Sequence, residues 1–365
     1  MKVLFMTNIP APYRVDFFNK LTEKCDLTVL FEKRNDNERN EEWYKNNKYN
    51  FNFIFLPTKN YIQKLFKILN DNYDLIIIGV YSTKLAAISR FYLKFKKRKY
   101  IISADGGFAG DKTFITKFIK TFFISSASYW LSSGNETTKY LKYYGAKEEN
   151  IYNFHFTSLN KNEILTEPIK YSKKLKLRRK AGYNYKRIFI SVGQIVYRKG
   201  YDILLEALKN ENFKDTAFII AGVGNKLEEY KKYIKDNNLK NVFFVGFKDK
   251  KELLELYNMS DVFFFPTRED IWGLVINEAM AYGLPIISSN KALASLELID
   301  EDYLFNLEDK DKLLKLLKEY NSKNEKDLYR IGNKNLNIIK NYNIEQMVYD
   351  HIKIFEEIIK RENNQ

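Results

Sequence analysis

A single cysteine, Cys25, stands in 365 residues. No internal disulfide can form, and one thiol suits a chain that folds in a reducing compartment. Histidine is almost as scarce. His155 and His351 lie far apart, and neither has a Cys or His partner at metal-ligand spacing, so both read as packed or surface residues rather than ligands. No pair of aspartates follows a strand in a position to hold a divalent cation. The acidic run Asp300-Glu301-Asp302 falls in a late loop, and no metal is expected. No apolar run approaches the roughly 18 residues that span a bilayer. Met1-Lys2 runs straight into the apolar stretch Val3-Leu4-Phe5-Met6, with no leader pattern before it. A cytoplasmic location is therefore expected, with contact at the inner face of the cell membrane left open. Helix-turn-helix, zinc-knuckle and RNA-binding signatures are missing too, which argues against a nucleic-acid partner. No short-period repeat or low-complexity tract interrupts the chain.

Positive charge is plentiful. Lys and Arg number 61 against 46 Asp and Glu, a formal +15. Such a balance fits a polyanionic partner or phosphate-bearing substrates, and equally a compositional bias toward Lys, Asn and Ile. Apolar residues make up 45 % and aromatics 16 %, enough to fill sizeable cores, and the length suggests two domains.

Short apolar runs alternate with helical patterns: Val3–Met6, Leu27–Phe31, Phe51–Leu56, Leu75–Ile78 and Tyr100–Ile102 read as strands. Glu32–Asn50, dense in charge, reads as an exposed loop. After the Lys-rich segment Asn160–Lys186 the same grammar restarts, with Ile188–Val192, Ala217–Ala221, Val242–Val245, Val262–Phe265 and Ile286–Ser288. The expected fold class is α/β, with two Rossmann-like domains whose parallel sheets face each other across a cleft. Their expected spans are 1–165 and 166–343. A last helix over 344–362, capped by Asn343, would pack back on the first.

Two stretches carry chemistry. Glu269–Pro285 reads EDIWGLVINEAMAYGLP and follows the strand Val262–Phe265. Asp270 and Glu278 stand eight positions apart around Trp272-Gly273, with a helix beginning near Leu274. The unsatisfied amides of such a helix start suit a sugar hydroxyl or phosphate oxygen. Ser191–Leu208 reads SVGQIVYRKGYDILLEAL. There a strand ends at Gly193, and Arg198 and Lys199 stand on a loop at the strand's carboxyl end, two cations suited to a diphosphate.

These residues together resemble the retaining glycosyltransferases of family 4, which have the GT-B fold. The resemblance is dense in the C-terminal half. It implies that Asp270, with Glu269 beside it as an alternative, contacts the donor sugar. The backbone of Gly273, Leu274 and Val275 would hold sugar and phosphate, and Glu278 the ribose. Arg198 and Lys199, with Gly193 and Gln194, would form the phosphate loop. Gln194 stands where the family usually has an arginine, and Arg198 can supply that charge. Gly222-Val223-Gly224 would be the tight turn beside the donor, and Gly246-Phe247 the segment against the nucleobase. In the N-terminal half the resemblance is one of pattern. The loop with Pro12 and Arg14 would line the acceptor side, without the family's glycine pair. Asp105, before Gly106, falls closest to where the family often has a histidine touching the reacting sugar; it suits either a catalytic role, orienting the acceptor hydroxyl or accepting its proton, or that of an ordinary acid in a glycine turn.

The implied activity is transfer of a sugar from a nucleotide-diphosphate sugar, UDP favoured, to a saccharide or lipid-linked saccharide of a bacterial surface glycan: capsule, O-antigen or similar. No other cofactor is implied. Two alternatives remain: a GT-B phosphorylase or epimerase, and a non-catalytic basic protein binding membranes or glycans. The stretches Arg90–Lys99 and Lys112–Phe123 interleave cations with aromatics at near-helical spacing. They suit either an anionic membrane surface or a solvated helix whose Phe114, Phe118 and Phe122 pack inward.

Overall fold

The computed structural model describes residues 1–364 apart from 36–47, 57–59, 81–82, 111–112, 210 and 212. Most of the charged stretch 32–50, and Lys112, thus lie outside the described residues. The chain divides into two compact units: residues 1–158 with 342–365, and residues 159–341.

The first unit is built on a parallel sheet of seven strands: β1 (Lys2–Thr7), β2 (Asp26–Phe31), β3 (Asn52–Phe55), β4 (Leu75–Ile78), β5 (Ile101–Ala104), β6 (Tyr129–Ser132) and β7 (Ile151–Asn153). Their order is β3-β2-β1-β4-β5-β6-β7. The central strands are apolar throughout because helices cover both faces; Val3, Leu4, Ile77, Ile78 and Ile102 are fully buried. Asn343 caps the last helix, Ile344–Asn363, accepting from the amide of Gln346 at 2.9 Å. That helix lies against the helix Pro12–Leu21.

The second unit holds six parallel strands: β8 (Arg187–Val192), β9 (Thr216–Ala221), β10 (Val242–Phe244), β11 (Val262–Phe265), β12 (Ile286–Ser289) and β13 (Leu304–Phe305). Their order is β10-β9-β8-β11-β12-β13. At the amino ends of β8 and β11 three buried cations converge on one acid. Arg178 Nη2 lies 2.5 Å from Asp261 Oδ2, with Lys174 and Arg187 at 3.7 and 3.9 Å. Asp261 also accepts the amide of Ile188 at 2.9 Å, so it ties helix Tyr171–Lys180 to both central strands. Burial among neighbouring positive charges holds Lys174 down to about 8.

In both sheets the strand order reverses beside the first strand, between β1 and β4 and between β8 and β11, while every strand stays parallel. Crevices at the carboxyl ends of such switch points are where open α/β sheets bind ligands.

Candidate functional site

The second unit's switch point is lined by the loops that leave β8 and β11, and these hold the two stretches singled out in the sequence. Gly193 follows β8, and Tyr197–Lys199 form a single 3₁₀ turn. Gly200 then adopts φ 70° at the start of the helix Tyr201–Leu208. A Cβ at Gly200 would stand 2.0 Å from the carbonyl oxygen of Pro266. Only glycine both reaches this left-handed conformation and lets the two loops touch.

Once in contact, the loops interlock. Arg198 donates from Nη1 to the Glu269 carbonyl at 2.6 Å, and the Arg268 amide donates to the Arg198 carbonyl at 2.8 Å. Arg268 forks onto Asp202, stacks 3.8 Å above the Tyr197 ring and donates to the Tyr197 carbonyl at 2.8 Å. Lys199 is buried over the Phe265 ring and forms an ion pair with Asp270. Of the two neighbouring acids, then, Asp270 faces the cation loop. Glu269 is exposed and enters these contacts through its carbonyl. The Asp270 amide donates to the Lys291 carbonyl at 2.8 Å, which fixes this loop to the segment after β12.

Gly273, at φ 99°, opens the helix Leu274–Ala281. Trp272 turns inward, where its Nε1 donates to Asn277 Oδ1 at 2.9 Å. Leu274 and Val275 supply the first amides of the helix, which have no full set of intrahelical acceptors. Glu278 sits one turn further on, half-buried, and accepts the Tyr257 hydroxyl at 3.2 Å. Burial, reinforced by the Glu278 charge, raises the Tyr257 pKa, so this phenol stays a donor. The loops after β8, β9 and β10 meet backbone to backbone. The Gly193 amide donates to the Ala221 carbonyl at 3.0 Å and the Gly222 amide to the Gly246 carbonyl at 2.8 Å. Gln194 is half-buried beside Gly193, and Phe247 projects into solvent after Gly246. A cavity of about 550 Å³ lies behind this face, bounded by Asp202, Glu206, Tyr230, Tyr233 and Arg268. Its lining mixes acids with Lys232, Arg268 and Lys310.

In the first unit, the loops after β1 and β5 bring together two residues that the sequence left apart. Pro12 occupies the first turn of the helix Pro12–Leu21, and Arg14, in that same turn, is buried and paired with Asp105. Burial works against the Arg14 charge, yet Asp105 and Tyr13 hold its pKa above the ordinary arginine value. Burial raises the Asp105 carboxyl despite the adjacent guanidinium. Asp105 Oδ1 is buried without a hydrogen-bond partner among the described residues, while Ser133 holds the Asp105 carbonyl at 2.9 Å. Gly106 follows with φ 159°, and a Cβ at Gly107 would meet the Tyr140 ring at 2.7 Å. His155 pairs with Asp350 at 2.7 Å, and His351 is buried among Phe17, Phe154 and Phe355. Among the described residues no cluster of three or more His, Cys, Asp or Glu could hold a metal.

Comparison with known proteins adds to this geometry. Residues 173–342 match the family model described as glycosyl transferases group 1. An uncharacterized 41.2 kDa protein in the cps region of Klebsiella pneumoniae is 34 % identical over 132 residues, 34 % of each chain. The O-antigen biosynthesis glycosyltransferase WclY of Escherichia coli is 30 % identical over 112 residues, 30 % of each chain. These alignments thus span about a third of the curated relatives. Anabaena Alr3699/HepE, solved in complex with UDP and glucose, superposes over 100 % of both chains with a TM-score of 0.76 at 16 % identity. That likeness is one of fold, and the fold is GT-B.

The second unit also holds residues that sequence reasoning passed over. Arg268, Asp202 and Tyr197 make the clamp between its loops, and Tyr257 backs Glu278. Arg268 and Tyr197 each lie inside or beside a motif, and their charge and ring were the available signals. Tyr257 comes from the helix Lys250–Met259, and nothing in its local sequence ties it to Glu278.

Proposed function

We propose that the protein transfers a sugar, with retention, from a nucleotide-diphosphate sugar, UDP favoured, to a saccharide or lipid-linked saccharide in capsule, O-antigen or other surface-glycan synthesis. The observation that carries this reading is the Lys199–Asp270 pair, which joins the two switch-point loops just ahead of the helix that carries Glu278. In this reading the donor diphosphate lies over the loop Gly193–Gly200. Lys199 and Arg198 take up its charge, a metal-independent arrangement, and the amides of Leu274 and Val275 receive its oxygens. Glu278 accepts the two ribose hydroxyls, and Gly246-Phe247 lie beside the base. Asp270 meets the hydroxyls of the transferred sugar.

Transfer breaks the bond between the anomeric carbon and the diphosphate oxygen and makes one to the acceptor oxygen. The acceptor proton passes to the leaving diphosphate on the same face. The protein contributes positioning and a fixed field rather than a strong nucleophile. Asp105, held by Arg14, orients the acceptor hydroxyl. The relatives in a cps region and in O-antigen biosynthesis, and the UDP complexes of the structural neighbour, support the substrate class.

Thermal-shift screening with UDP, GDP and ADP sugars tests the donor. A ligand at 100 times its Kd adds about 2.7 kcal/mol of stability. No shift with any of them, in wild type that is otherwise folded, removes the reading. The anomer of the product, read by NMR, tests retention, and turnover in EDTA tests metal independence.

A further inference from the structure

The face formed by the helices Lys84–Phe95 and Phe114–Ile124 is unlike the rest of the surface. The inward packing of Phe114, Phe118 and Phe122 that the sequence allowed does not occur. Phe114 is 83 % exposed and Phe118 64 %, and Phe122 is exposed as well. Ile115 and Ile119 widen the same strip, and Ile124 is the one buried residue of this helix. The preceding helix adds Phe95, 81 % exposed, and Phe91, whose ring lies 5.8 Å from that of Phe122, so the two helices share one apolar ridge.

Charge identifies what the ridge faces. Residues 84–124 carry ten Lys and Arg against two acids, Asp105 and Asp111. Asp105 is committed to Arg14, and the helix Phe114–Ile124 has no acid at all. Lys94, Lys96, Lys97 and Lys117 are exposed around the ridge, and none makes an ion pair among the described residues. Lys94 and Lys117 lie over the rings of Phe122 and Tyr143, with their charges held beside apolar surface. A contiguous apolar strip of this size is uncommon on a free surface. Aromatics that enter the acyl boundary beneath a ring of unneutralised lysines suit an anionic bilayer, where each cation near the surface adds to the attraction. No described helix is long and apolar enough to cross a membrane, so attachment would be to one leaflet.

We infer that this ridge docks the protein on an anionic lipid surface. The inference stands on the surface itself and not on the proposed reaction, so vesicle binding and sugar transfer can fail separately.

Co-sedimentation of the full chain with vesicles of phosphatidylcholine alone, or with added phosphatidylglycerol, tests it. Binding is expected only with the anionic lipid, and it should weaken as salt is raised. Phe114→Ser with Phe118→Ser, and separately Lys94→Glu with Lys117→Glu, should each reduce binding about ten-fold. Melting temperatures should stay unchanged, because these side chains have little packing to lose. Phe118→Trp should show a blue-shifted emission with anionic vesicles. Wild type that stays in the supernatant or binds both vesicles equally, or a Phe118→Trp variant whose probe is shielded by dimerisation without lipid, would overturn the inference.

Discussion

Arg268 and Asp202 form a two-pronged ion pair, Nη1 to Oδ1 at 2.8 Å and Nη2 to Oδ2 at 2.6 Å, that closes the β8 loop against the β11 loop. Planar fork geometry of this kind fixes direction as well as distance. Lysine at 268 keeps a charge but loses the fork and the stack on Tyr197. Arg268→Lys is expected to lower kcat/KM at least about ten-fold while moving the melting temperature by only a few degrees. Steady-state kinetics beside a thermal melt separates this from simple unfolding, which would lower both together.

Glu278 accepts from the phenol of Tyr257, which burial keeps protonated. Glu278→Gln retains size and one acceptor but removes the charge. Donor affinity should fall by about 2 kcal/mol, the usual worth of a charge-assisted hydrogen bond. Tyr257→Phe should cost less, because it removes only the orientation of Glu278. Calorimetric titration with the donor nucleotide measures both, and equal losses from the two would show that the carboxylate has no direct contact.

Gly200 admits no side chain. Gly200→Ala places a methyl carbon where the Pro266 carbonyl oxygen already lies, at a φ that disfavours alanine. A stability loss of about 1–3 kcal/mol is expected from the strained backbone alone. A larger proportional loss of donor binding should follow, since the loops must part. Gly182, equally left-handed but with open space around it, is the control: Gly182→Ala should lose stability only.

His351 sets an acid limit. Burial holds it down to about 4, against 6.5 in the unfolded chain, and Arg14 adds to the effect. Between these values the unfolded state binds the extra proton. Stability that is complete above pH 6.5 is therefore lost as pH falls toward 4, by up to roughly 3 kcal/mol. Urea unfolding from pH 4 to 7 should show this slope, and His351→Leu should flatten it.

Much of this was legible in the chain because buried parallel strands are written as apolar runs. Val3–Met6, Leu75–Ile78, Val262–Phe265 and their counterparts sit where the apolar letters put them. Three strands escaped notice. β6 reads Tyr-Trp-Leu-Ser, β7 Ile-Tyr-Asn, and β13 has two residues. β7 and β13 are too short to show a pattern, and β6, as long as β4, ends in a serine and mixes polar-tipped aromatics with one leucine, so no continuous aliphatic run marks it. The same limit applies to the candidate site. Asp270, Glu278, Arg198 and Lys199 stand out by residue type, but which acid meets Lys199 depends on how two loops cross. The Arg14–Asp105 pair joins positions 91 apart and is visible only after β1 and β5 take their places in one sheet.

The buried knot of Arg178, Lys174, Arg187 and Asp261 gives the second unit a foundation at the end of the sheet remote from its loops. Asp261→Asn strands three buried cations and should cost several kcal/mol, yet it lies the length of a strand from Lys199 and Asp270. Durability and chemistry are thereby assigned to opposite rims of the same sheet. Variation in the loops can then proceed while the rim beneath them keeps the domain folded.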